Sequence, residues 1–176
     1  MARKEFVTSE YGESAWTGIL EALSEADRHE LQSAVISSTW HAFELNDHLD
    51  RAIVDELGEG SREIFERIGR TSAQKNLSGP HRAFVADGDP AFFLEGTDRI
   101  YGFYYDTGRR TYEATGPHSG VITTYDAETF SETDCLTVVG WYKEALKMCG
   151  ATDVEMTEES CRARGDSFCR YNVSWK

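Results

Sequence analysis

The sequence predicts an α+β domain: a helical N-terminal half packed on a small antiparallel β-sheet, with a C-terminal helix and β-hairpin. Apolar residues recur at helical spacing through the first half. The second half switches to short alternating runs bounded by turn residues. That switch within one chain is the pattern of an α+β fold. With 176 residues, 40% of them hydrophobic and 12% aromatic, the chain can bury one core, and 1–176 is expected to form a single domain.

The elements follow in order. Trp16, Ile19, Leu20 and Leu23 form an apolar stripe on a first helix. Ser24 with Asp27 three residues on has the form of a capping box and opens a second helix bearing Leu31 and Val35. Ser38 is positioned to cap a third, with Phe43, Leu45, Leu49, Ile53 and Leu57, ended by Gly58 and Gly60. Ser61 starts a fourth, with Ile64, Phe65 and Ile68, and Asn76 to Pro80 breaks it. A short helix covers Arg82 to Ala86. Asp89–Pro90 supplies an N-cap and a first-turn proline for a helix carrying Phe92, Phe93, Ile100, Tyr101 and Tyr104. Asp106–Thr107–Gly108 closes it.

Thr111–Thr115 and Gly120–Tyr125 read as strands around Gly116–Pro117. Ser131 and Asp134 open a helix whose inner face is Cys135, Val138, Val139, Tyr142 and Leu146, ended by Gly150. A strand from Asp153 to Glu159, a turn at Gly165–Asp166 and a strand from Phe168 to Trp175 complete the chain.

Composition narrows the function. The net charge of −13, from 31 acidic against 18 basic residues, opposes a phosphate-binding surface, so no nucleic-acid partner is expected. No apolar run reaches the roughly 18 residues of a membrane span, and the start MARKEF lacks a signal-peptide core. A cytoplasmic protein is therefore expected. Four cysteines in that compartment point to thiols or ligands rather than disulfides.

Cys135, Glu158, Cys161 and Cys169 are the candidate metal ligands. Val154, Met156 and Glu158 share one strand face, and Cys169, Tyr171, Val173 and Trp175 share another. With the apolar faces inward, Glu158 and Cys169 point inward as well. A buried unpaired carboxylate is costly, and a divalent cation removes that cost. Cys135 lies on the inner stripe at a helix start, where a thiolate is favoured. Three sulfurs and one oxygen suit a closed, structural, tetrahedral Zn²⁺ site. Cys149 lies fourteen residues beyond Cys135, about 21 Å along a helix, and cannot share the ion. The spacing E-x₂-C-x₇-C alone is a weak signal, since small buried cysteines and a surface glutamate produce it as well.

The segment from Glu159 through Cys161, Gly165, Asp166 and Cys169 to Trp175 resembles the C-terminal signature of the vinyl-4-reductase domain family. It is most similar to the zinc-binding sensor domains of phenol-responsive activators, whose ligand spacing corresponds to Cys135, Glu158, Cys161 and Cys169. The upstream half, with Phe43-Glu44-Leu45 and Tyr104 to Gly108, looks like stand-alone bacterial members of that superfamily, which is grouped with haem-NO-binding-like and TRAPP-like folds. The resemblance implies helices over an antiparallel sheet, a homodimer and a hydrophobic pocket. It implies a non-enzymatic sensor or regulatory domain for a small apolar or aromatic ligand, with structural zinc. No ATPase module or DNA-binding helix pair is present in this sequence, so output is expected to pass through a regulatory protein partner. The alternative is a protein-interaction scaffold with a self-filled core.

Trp40, His41, Phe93, Tyr101, Tyr104, Trp141 and Tyr142 are the candidate pocket residues, since aromatics at helical spacing can line a ligand cavity or fill a core. Haem would need a histidine on a buried helix face. His29 and His48 sit among charges, and His41, beside Trp40, is the best placed. A Tyr-x-Ser-x-Arg propionate pattern is missing. No G-x-S-x-G elbow, phosphate loop or nicotinamide motif occurs, so no catalytic residues are expected.

Overall fold

The computed structural model describes residues 2–33, 41–58 and 63–176. Its contacts divide the chain into two compact units, Met1–Ile64 and Phe65–Lys176. The helix starts expected at Ser38 and Ser61, with Val35 and Gly60, lie outside the described residues.

The first unit is helical: α1 (Ala2–Tyr11), α2 (Glu13–Ala22), α3 (Glu25–Gln32) and α4 (Phe43–Leu57). The sequence reading missed α1, whose buried residues are only Phe6 and Val7, too few to show a period. Gly12, with φ of 89°, takes the left-handed turn between α1 and α2. Trp16, Ile19, Leu20 and Leu23 are buried as the stripe requires. Ser24 caps α3, its Oγ accepting from the Asp27 N–H at 3.1 Å and donating to Asp27 Oδ2 at 2.7 Å. Arg3 pins α1 to α4: its Nε and an Nη donate to the two carboxylate oxygens of the fully buried Asp50, at 2.5 and 2.9 Å.

The second unit is α5 (Ile64–Ser78), a 3-10 turn (Arg82–Phe84), α6 (Pro90–Glu95), α7 (Thr97–Tyr101), β1 (Arg109–Gly116), β2 (Ser119–Tyr125), α8 (Glu132–Met148), β3 (Glu155–Ser160), a second 3-10 turn (Arg162–Arg164) and β4 (Cys169–Ser174). The sheet is antiparallel throughout, in the order β1-β2-β4-β3. The α+β expectation is met. The break expected at Asn76 falls later, because α5 runs to Ser78 with Leu77 fully buried. The single helix expected from Pro90 to Tyr104 is two short ones, interrupted at Gly96. Glycine is a weak helix former, and its extra backbone freedom opens a joint there.

The core of this unit places Val138, Val139, Tyr142 and Leu146 of α8 with Ile122 of β2, Tyr171 and Val173 of β4, Met156 of β3 and Phe93 and Leu94 of α6. Helices α5 and α8 cross at two glycines. A Cβ on Gly140 would sit well inside 3.0 Å of the Glu66 carbonyl oxygen, and one on Gly69 equally close to that of Thr137. Beside this crossing, Lys143 Nζ meets Glu66 Oε2 at 3.0 Å. No helix among the described residues is long and apolar enough to cross a membrane.

Gly140→Ala forces two backbones apart and is expected to cost about 1–3 kcal/mol, read as a lower urea midpoint. Gly18→Ala in α2 meets only the tip of Glu56 at 3.8 Å and should hold or raise the midpoint, because alanine is the better helix former.

Candidate functional site

Three segments of the second unit converge on one point. Ser131 caps α8, its Oγ accepting from the Asp134 N–H at 3.1 Å. That fixes the first turn and turns Cys135 inward, 4% exposed. Cys161 follows β3; its N–H donates to Asp166 Oδ2 at 2.8 Å. The 3-10 turn and Gly165, with φ of 98°, then reverse the chain. Cys169 opens β4, opposite Thr124 of β2.

Cys135 Sγ lies 3.5 Å from Cys161 Sγ and 3.7 Å from Cys169 Sγ. All three sulfurs fall within 4.8 Å of one another. The Arg162 N–H also points at Cys169 Sγ, at 3.4 Å. Glu158 stands beside this group but outside that radius. Its Oε2 accepts from Arg164 at 2.5 Å, and its Oε1 is buried with no hydrogen-bond partner. Buried sulfurs at this spacing can share one thiophilic cation. Cys149 is buried at the far end of α8, as expected of a thiol that cannot join them.

The thiols are electrostatically unequal. The Cys135 S–H and the Arg162 N–H donate to Cys169 and bring it down to about 6, against the opposing effect of burial. Cys135 moves far up, because it is the donor to Cys169 and is itself buried. Burial and the Glu158 charge also raise Cys161, although the hydrogen bond with Cys135 opposes this.

A cavity of about 20 Å³, room for one water-sized molecule, adjoins Cys135 and Cys169. Arg110, Tyr101, Tyr105, Asp134 and Tyr171 form much of its wall. Arg110 is 7% exposed. Its Nε donates to Thr124 Oγ1 at 2.8 Å, and its guanidinium lies 4.9 Å from the centre of the Tyr101 ring. Tyr101 and Tyr105 stack at 4.7 Å. The Tyr105 hydroxyl donates to Asp134 Oδ2 at 2.8 Å. Arg110 went unread as a site residue. The signal was its alternation with Tyr112, which puts both on one face of a strand.

The candidate pocket residues divide. Trp40 lies outside the described residues. His41 is exposed in the first unit, its Nδ1 3.0 Å from Glu30 Oε1. Phe93, Trp141 and Tyr142 pack as one ring cluster with the more exposed Tyr104, ring centres 5.2 to 6.3 Å apart. The Trp141 Nε1 is buried there without a partner. Tyr101 turns instead to Arg110.

No protein-family model matches the sequence, and no curated protein matches it at a significant level. Solved structures do match in fold. An H-NOX protein from S. oneidensis in the Fe(II)NO ligation state superposes with a TM-score of 0.75 at 13% identity, covering 99% of this chain and 96% of that one. An oxygen-binding H-NOX domain related to soluble guanylate cyclases, in its oxygen complex, gives 0.72 at 13%, covering 99% and 92%. A structure that probes haem distortion in the H-NOX family gives 0.75 at 13%, covering 99% and 92%. The chain therefore has the fold of these H-NOX structures.

These neighbours correct the expectation of structural Zn²⁺: the group they are described with is haem, its iron as Fe(II). The described residues of the second unit do not fit haem either. Among the described residues, His29, His41, His48 and His118 are exposed. His81 is half-buried, stacked 4.8 Å from the Phe103 ring. A cavity of about 20 Å³ cannot enclose a tetrapyrrole. In the stretch from Tyr105 to Arg109, Thr107 stands where the Tyr-x-Ser-x-Arg pattern has serine; Tyr105 bonds Asp134, Thr107 accepts from the Glu128 N–H, and Arg109 faces Asp126 at the surface.

The depressed Cys169 gives a pH signature. Its contribution to stability is full above the ordinary thiol value of 9.0 and is lost as pH falls toward about 6. Cys135 and Cys161 shift upward, so their contributions hold below 9.0 and fade above it. Between those limits the denaturation midpoint of the ion-free chain should climb with pH. Parallel curves for wild type and Cys169→Ala would contradict this.

Proposed function

We propose that this chain is a non-enzymatic sensory domain that binds one small molecule and reports it to a regulatory protein partner. The observation that carries this reading is the buried polar site of the second unit, where Cys135, Cys169 and Arg110 line a cavity and Cys161 completes the thiol cluster, on a fold shared with the H-NOX structures. No arrangement of nucleophile, base and orienter is needed to account for these groups. Kinship with vinyl-4-reductase domains belongs to the same proposal, as does assembly into a homodimer.

Two finer assignments complete it. Cys135, Cys161 and Cys169, with Glu158, are the ligand set of a thiophilic metal ion; the partnerless Glu158 Oε1 supports this, since a cation would satisfy it. The apolar or aromatic ligand is read by Trp141, whose free indole N–H sits among Phe93, Tyr104 and Tyr142. The scaffold reading has one observation in its favour: Phe93, Tyr101, Trp141 and Tyr142 are 1 to 8% exposed and fill much of their own space.

Elemental analysis of the purified chain tests the ion. About one equivalent of a thiophilic metal per chain is expected, with loss in Cys169→Ser and an earlier melt. Native mass spectrometry tests the ligand: a co-purifying small molecule, released on Trp141→Phe, is expected. A chain of bare mass that binds a partner equally well in wild type and variant would favour the scaffold.

A further inference from the structure

We propose that β1 is a docking edge for a second copy of this chain: the β1 strands of two copies pair antiparallel about a twofold axis at Thr111, with Arg109 of each opposite Glu113 of the other. The inference deepens the preceding reading and takes from it only the assembly of two copies. Neither the metal ion nor the small ligand plays a part in it.

The sheet has two outer strands, β1 and β3, and they are unlike. Among the described residues, the backbone hydrogen bonds of β1 run to β2. Alternate N–H and C=O groups on its outer side therefore have no backbone partner. Such an edge is a template for another strand unless charge, proline or a bulge blunts it. The β3 edge is blunted in two ways. Glu155, Glu158 and Glu159 would set like charges against each other in two copies, and the register slips between Glu158 and Ser160. By contrast, β1 is regular from Arg109 to Ala114, its irregularity falling only beyond, toward Gly116. It holds no proline, and its exposed face carries charges of both signs.

Charge selects the register. Arg109, Thr111 and Glu113 share the exposed face of β1, and the buried Arg110 and half-buried Tyr112 share the other. A twofold axis normal to the sheet keeps the exposed face outward in both copies, so that opposed residues come from the same face. Centred on Thr111, it sets Arg109 opposite Glu113 twice and Arg110 opposite Tyr112 twice. Centred on Glu113 it would oppose two glutamates, and on Arg110 two buried guanidiniums. Centred on Tyr112 it would set Arg109 against Thr115 and Glu113 against Thr111, with no ion pair formed. Directly opposed unlike charges stabilise a strand pair, and like charges destabilise it. Both charged groups are available. Glu113 makes no ion pair among the described residues. Arg109 reaches Asp126 only loosely, at 3.7 Å, and both are exposed.

Sedimentation velocity of the full chain over a concentration series tests the interface, with far-UV circular dichroism confirming that each variant folds. Wild type should dimerise reversibly, since a short strand pair buries little surface. Arg109→Glu and Glu113→Arg each place like charges opposite one another at both symmetry-related positions, and each should raise the dissociation constant about tenfold. They move the net charge in opposite directions, so general repulsion cannot produce both effects. The double variant restores opposite signs and should return to within about twofold of wild type. Glu155→Lys on β3 should change nothing. A measurement without variants is amide hydrogen exchange, which should slow across Arg109 to Glu113 as concentration rises and not across Glu155 to Ser160. A chain monomeric at every concentration, single reversals without effect, or a double variant no tighter than the singles would overturn the proposal. A dimer indifferent to these charges removes only this interface and keeps two-copy assembly. A charge-dependent dimer that carries neither metal nor small molecule keeps the interface and removes the sensor reading.

Discussion

Burial of three sulfurs against one another is the constraint on which the second unit is arranged. They come from the first turn of α8, the end of β3 and the start of β4, so their meeting fixes how a helix, a strand end and a hairpin turn relate. Each is held by ordinary local chemistry. The Ser131 cap sets the α8 turn, and Asp166 holds the Cys161 backbone. Local rules thus place groups that become meaningful only when long-range packing joins them.

Polar groups next to this cluster follow the same logic. A guanidinium as buried as that of Arg110 is tolerated only with compensation. Here it comes from Thr124 and from the faces of Tyr101, Tyr105 and Tyr142. Tyr105 in turn donates to Asp134, one residue from Cys135. The cavity is therefore walled by groups already fixed by other bonds, which suits recognition of a small molecule better than accommodation of a large one.

The fold is that of H-NOX structures described with haem, oxygen and nitric oxide. Sheet, crossover helix and connectivity are set by backbone geometry and tolerate different contents. The second unit packs Phe93, Trp141, Tyr142 and Leu146 into its core together with its buried thiols. Likeness at 13% identity reaches the framework and not the site.

The sequence by itself determined the elements whose signals are local. Side-chain caps at Ser24, Asp89 and Ser131, strand alternation in β3 and β4, and the inward stripe of α8 all follow from interactions within a few residues. Those periods also turned Cys135 and Cys169 inward, and the helical rise excluded Cys149, whereas Cys161, in a turn, has no period to place it. Only the tertiary structure decided the rest. Helix α1 buries too little to announce itself, and depends on Arg3 meeting Asp50, 47 residues away. The roles of Gly69 and Gly140 exist only because two helices touch. Arg110 acquires its surroundings from α7, β2 and α8 together, and Glu158 is drawn to Arg164 as well as toward the sulfurs. The physical reason is range: capping and periodicity act over one or two turns of chain, whereas the partner of a buried charge or a bare backbone is chosen by folding.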